Sequence, residues 1–149
     1  MSALPLQLPQ PTEDERTSAL LVHVLAIVSG FIAPLVFFLV KKDSLFVRFH
    51  ALQVLIWHAV YLLLCMFAAM GMFVVMFFYV TSQAEKNAGP PLAFFGVFGT
   101  VWLLIMGGAL ANLILGIVFA IKAKQGEWAR YPVIGNLALR GTLPRQPIS

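Results

Sequence analysis

Three runs of side chains without one formal charge, Thr17 to Val40, Ala51 to Val80 and Leu92 to Ile121, limit what this chain can fold into. The first has 24 residues and the other two have 30 each. As α-helix they rise about 36 Å and about 45 Å, against a bilayer hydrocarbon core of about 30 Å. A 149-residue soluble domain could not hide them: 60% of the residues are hydrophobic, 11% are charged and the mean hydropathy is +0.90. The chain is predicted to be an all-α integral membrane protein with three long transmembrane helices over 17–40, 51–80 and 92–121. Pro34 lacks a donor and its ring collides with the carbonyl of Gly30, so the first helix is kinked or broken there, giving up to four helices.

The rest of the chain is short. Residues 1–14, with Pro5, Pro9, Pro11 and an acidic "EDE", read as a disordered polar tail, without the basic-then-apolar opening of a signal peptide. Residues 15–132 form a single helical membrane domain, and 133–149 a C-terminal tail. "TSQAEKNAGPP", 81–91, is a loop by its polar side chains and its Gly-Pro-Pro end. Eight lysines and arginines flank the spans on the side of Lys41 and Lys122, and two, Arg16 and Lys86, on the other. With three full crossings, that bias places the N-terminus outside and the C-terminus in the cytoplasm, in a bacterial inner membrane; if the first run instead folds back at Gly30 to Pro34, the N-terminus is cytoplasmic too. The net charge of +4 lies beside apolar segments, which points to anionic lipid headgroups and away from nucleic acid. Cys65 is alone, so no intramolecular disulfide or cysteine-based metal cluster forms.

Polar groups inside apolar spans mark candidate sites, because an unsatisfied one is costly in hydrocarbon. At 100° per residue, His50, Gln53, Trp57 and Tyr61 share an arc of about 80°, with His58 at its edge. This stripe either lines a binding groove or histidine metal site, or hydrogen-bonds a neighbouring helix. No Asp or Glu lies within any span to complete a metal set. Gly108, Asn112, Gly116 and Ala120 recur every four residues as a ridge of small side chains, which serves either a homo-oligomer or partner seam or packing within the chain. There is no Gly-x-Ser-x-Gly elbow, Walker loop or His-Glu-x-x-His. No enzyme and no cofactor are predicted.

"KQGEWARYP", 124–132, ends the third span. Lys122 and Lys124 complement the helix C-terminus, and Gly126 can take the left-handed conformation that closes it. Trp128 and Tyr131 are expected at headgroup depth, with Arg130 reaching lipid phosphates and Pro132 barring further helix. Glu127 is expected to pair with Arg130 or with a basic group of the loop Lys41 to Arg48.

Four blocks carry a resemblance: "ERTSALLVH" (Glu15, Arg16 and His23 within it), "APLVFFLVKKD", "FVRFHALQ" and "IKAKQGEWARYP". In this order they resemble a widespread family of small bacterial membrane proteins, mostly of unknown function. The family includes the magnetosome proteins MamF and MmsF and is similar to a membrane subunit of the chloroplast Tic translocon. The likeness runs from Glu13 to about Pro132. It implies three or four membrane helices, with no catalytic residue or cofactor to carry over. The best-named roles in the family are magnetite crystal size and maturation, and preprotein passage. The loop 81–91 has one Glu against one Lys, whereas a mineral-facing loop would be acidic, and one stripe is a sparse lining for a path. The expectation is therefore an accessory subunit, scaffold or assembly factor contacting a membrane-protein partner or another copy, with a translocation or transport component as the alternative.

Overall fold

The first apolar run does not cross as one helix. The structure is a computed structural model and describes residues 8–83 and 92–142; it resolves the run into α1 (Glu13–Ser29) and α2 (Ile32–Val40). Gly30, at φ 62°, makes the break. Its position follows from Pro34: by starting a new helix at Ile32, the chain puts proline in a first turn, where no N–H is required. Ser29 stitches the joint, its hydroxyl donating to Leu25 O at 2.8 Å and accepting from Ala33 N at 3.2 Å. Of the three long helices predicted to span, two among the described residues are long and apolar enough to do so, Leu45–Ser82 and Phe94–Lys124.

The same break brings the two ends of the run together. A full crossing would hold the ends of the first run about 36 Å apart, yet Lys41 after α2 pairs with Asp14 at the start of α1 at 2.8 Å. The pair is a hairpin whose ends meet. α1 begins on a capping box: the Thr12 hydroxyl accepts from Glu15 N at 3.3 Å and Glu15 Oε2 accepts from Thr12 N at 2.7 Å. Glu13, Asp14 and Glu15 complement its dipole.

α3 (Leu45–Gln83) and α4 (Leu92–Lys124) have 39 and 33 residues. α3 starts earlier than the apolar run because Ser44 caps it, its Oγ accepting from Val47 N at 3.1 Å. Arg48, read as a loop residue, therefore sits on the first turns of a helix, its guanidinium 4.9 Å over the Phe38 ring. α4 closes at Gly126, φ 82°. Gly126 N–H donates to Ala123 O at 3.0 Å and Glu127 N–H to Lys122 O at 3.0 Å, the two bonds of a Schellman motif. A γ-turn at Val133, φ 68°, with Ile134 N–H on Pro132 O at 2.8 Å, then leads into α5 (Gly135–Thr142), within the stretch read as a tail.

Two compact units result, Met1–His58 with Ile114–Ser149, and Ala59–Leu113. In the first, the small face of α1 packs Val22 and Ala26 on Val47, Ala51 and Val54 of α3. Ala19 and Ala123 meet Phe46, and Phe49 meets Ala138 and Leu139 of α5. In the second, Tyr61 donates to Ile105 O at 3.0 Å and Tyr79 stacks toward Phe94 at 5.6 Å. Its outward apolar side chains, Leu64, Phe67, Phe73 and Leu103 among them, are exposed in the isolated chain. Lipid is the solvent that such a surface fits.

Candidate functional site

The stripe on α3 and the segment after α4 meet in the first unit. Residues 127–131 form no helix, so their backbone groups need partners in an apolar setting. Gln53, fully buried, supplies two: its Nε2 donates to Ala129 O at 3.2 Å and its Oε1 accepts from Tyr131 N–H at 2.9 Å. A carbonyl on one side and an N–H on the other fix which way the amide faces. It stands in for a neighbouring peptide strand.

His50, also fully buried, holds the next turn. Its Nε2 lies 3.2 Å from Glu127 O, its Nδ1 lies 3.1 Å from His23 Nε2, and His23 Nδ1 lies 3.3 Å from the Tyr131 hydroxyl. A carbonyl only accepts, which orders the chain: Nε2–H of His50 donates to Glu127 O, so its Nδ1 accepts from His23 Nε2–H, and His23 Nδ1 accepts from Tyr131. Both imidazoles are neutral in this arrangement. Burial raises the Tyr131 pKa, so its phenol keeps the proton it donates. Phe119 sits 4.1 Å and Trp57 5.7 Å from the Tyr131 ring, closing the cluster.

The cluster thus gathers His23, His50, Gln53, Trp57 and Tyr131. His58 is not part of it, turning to Val54 O on its own helix at 2.9 Å, and Tyr61 bonds within the second unit. Among the described residues, no group of three or more His, Cys, Asp or Glu could hold a metal ion. The small ridge is occupied within the chain at several points. A Cβ on Gly108 would meet Tyr61 Cε2 at 2.8 Å, one on Gly116 would meet Ile27 at 3.2 Å, and Ala120 is buried. Asn112 is half-buried and engaged.

The "KQGEWARYP" segment is more than a lipid anchor. Tyr131, expected at headgroup depth, is 4% exposed. Trp128 lies against Phe46 and Phe49, ring centroids 5.1 and 5.4 Å away, and its indole donates to Pro9 O at 3.2 Å. Glu127 pairs with Lys122 at 2.9 Å, not with Arg130 or the 41–48 segment. The Schellman reversal explains this, because it returns residue 127 over residue 122. Arg130 donates to Asn136 Oδ1 at 3.0 Å, and exposed Pro132 precedes the γ-turn.

The N-terminal block closes over the same place. Arg16 Nε donates to Pro11 O at 3.1 Å and lies where a Cβ on Gly126 would be, at 2.9 Å. Lys124 pairs with Glu13 and donates to Thr17 at 3.1 Å. Lys124 holds the Glu13 carboxyl below its ordinary pKa; Ser44 first, then the Thr12 backbone, do so for Glu15.

Sequence reasoning missed that the three motifs complete one another. The available signal was a stripe of amide and imidazole on one helix together with a non-helical stretch lacking backbone partners. Residues 14–138 match the family model described as the magnetosome magnetite crystal formation protein family. The searches of curated proteins and of solved structures find no match.

Proposed function

The chain belongs to the magnetosome magnetite crystal formation protein family, and from that premise we propose that it is a non-enzymatic membrane scaffold, an accessory subunit or assembly factor of a membrane protein complex. The observation that carries this reading is the use made of the buried polar groups. Gln53, His50, His23 and Tyr131 are spent on one another and on the backbone of 127–131. Their burial and hydrogen bonds are accounted for by this structural task, without a substrate. The same fact weighs against the translocation alternative, since His50 and Gln53 would have to line the path. Direct mineral contact is also disfavoured: Glu13 and Asp14 are paired with lysines and Glu15 is in the capping box. The family's part in crystal formation would then reach this chain through assembly of the surrounding membrane.

In this reading α3 and α4 cross the bilayer and the α1–α2 hairpin lies on the side of both termini. Every lysine and arginine in the sequence except Lys86 then falls on one side, stronger asymmetry than three crossings give, and that side is cytoplasmic. Exposed Lys42 and Arg140 are free to meet anionic headgroups.

Crosslinking in native membranes followed by affinity purification in mild detergent tests the role. A stoichiometric membrane-protein partner or homo-oligomer is expected. A lone monomer, with solute or polypeptide flux in vesicles containing only this protein, would overturn it in favour of transport. Topology is checked separately in a Cys65→Ala background. Gln10→Cys and Arg140→Cys should react with an impermeant reagent from one face and Thr81→Cys from the other. Labelling of positions 10 and 140 from opposite faces would sink the hairpin reading.

A further inference from the structure

Residues 8–11, read from the sequence as disordered tail, are seated on the first unit by side chains alone. The Trp128 indole N–H donates to Pro9 O at 3.2 Å and Arg16 Nε to Pro11 O at 3.1 Å. Leu8 packs with Phe49 and Leu139, and Pro11 is buried. Proline-rich backbone has no internal hydrogen bonds, so its carbonyls stay available to outside donors, and its stiffness lowers the entropy lost on docking. An aromatic-lined groove with an indole donor is the recurring way to recognise such a segment. Here Phe46, Phe49 and Trp128 supply it, with their rings set edge-on or tilted about 5 Å apart.

We propose that this groove is a receptor for a proline-rich peptide segment carrying a basic residue, held at rest by the chain's own residues 8–11. Two further observations define the ligand. Among the described residues a cavity of about 190 Å³ lies beside the arm, lined by residues 9–11 of the arm itself and by Glu15, Asp43, Leu45 and Phe46. Glu15 is engaged by Thr12, so Asp43 is the carboxylate that favours a lysine or arginine where the arm presents neutral, exposed Gln10. A partner segment with proline on either side of an arginine makes the same carbonyl contacts and adds that charge, displacing the arm. The assignment stands apart from the scaffolding reading, because it concerns a surface and not the buried cluster.

The full-length chain, labelled with 5-fluorotryptophan in mild detergent, tests it by fluorine NMR. Its three tryptophans give separate resonances, with Trp128 identified by its loss in Trp128→Phe. A peptide of sequence 4–12 with arginine in place of Gln10 should shift the Trp128 resonance and leave Trp102 unmoved, at millimolar peptide because the tethered arm competes at a comparable effective concentration. The same peptide with alanine for every proline should do nothing. Leu8→Asp should weaken the arm and lower the half-shift concentration about tenfold, and Asp43→Asn should remove the advantage of the arginine peptide over the glutamine one. An unmoved Trp128 resonance in the unmodified chain, or an equal shift by the alanine peptide, overturns the proposal. A shift that tracks protein concentration instead assigns the groove to a second copy's arm and overturns the placement in cis.

Discussion

Gln53→Met keeps an unbranched side chain of similar length and removes both bonds of the amide. Its consequence can be worked from two backbone groups: Tyr131 N–H, bonded in a buried setting at 2.9 Å, and Ala129 C=O, part-buried at 3.2 Å. A buried group left unsatisfied costs about 1–3 kcal/mol. The N–H lies in a buried setting and stands at the upper end, whereas the carbonyl is part-buried and stands at the lower. Together they give a loss of about 4 kcal/mol. Burial of the Met thioether in place of an amide offsets little of this, since the site is built around donors and acceptors. Leu52→Met, one position earlier and half-buried among apolar neighbours, is the control, with an expected cost below about 1.5 kcal/mol. Equilibrium unfolding in mixed micelles, followed by tryptophan fluorescence, measures both. If Gln53→Met falls within about 0.5 kcal/mol of the wild type, the range of an ordinary surface change, the amide clamp does not hold the 127–131 segment and the reasoning fails.

Gly126→Ala should destabilise by about 1–3 kcal/mol, because a φ of 82° is strained for an L side chain and the new Cβ would stand 2.9 Å from Arg16 Nε; the same unfolding assay reads it. Gly108→Leu should disrupt the α3–α4 hairpin of the second unit by colliding with Tyr61, whereas Gly107→Leu, with nothing within 4 Å of its Cβ, should be tolerated; protease resistance in detergent separates the two. Acid should loosen the closure of the N-terminal block. Glu13 and Glu15 are held below their ordinary value of 4.5 by Lys124 and by Ser44 and Thr12 respectively, so their contribution is fully present above that value and is lost as pH falls through the lower folded values. Unfolding curves of wild type and Glu13→Gln should therefore differ at neutral pH and converge in acid, and curves that stay parallel across that range refute the linkage.

Much of the helical frame was legible in the chain. Uncharged runs longer than the bilayer is thick must satisfy their backbones as helix, and Gly126 after two lysines marks an end by local chemistry alone. The placing of Gln53 and His50 on one face of α3 was equally legible, since helical periodicity is a property of the sequence. What the stripe faces was not. His23 and Tyr131 bond to each other across 108 residues, and Gln53 to Tyr131 across 78; no spacing rule reaches that far. Partner choice among charges was also beyond the sequence, because Arg130 and Lys122 are both near Glu127 along the chain and only the reversal at Gly126 selects Lys122.

The first apolar run shows the division most sharply. Composition alone determined that Thr17 to Val40 is helical and apolar, and Pro34 that it bends. Whether it kinks and crosses or breaks and folds back turns on contacts distant in sequence: Asp14 with Lys41, Glu13 with Lys124, and the small face of α1 against α3. A helix signal is set by neighbours within a turn or two, whereas the energy that chooses between two ways of burying that helix resides in surfaces the chain brings together only when it folds.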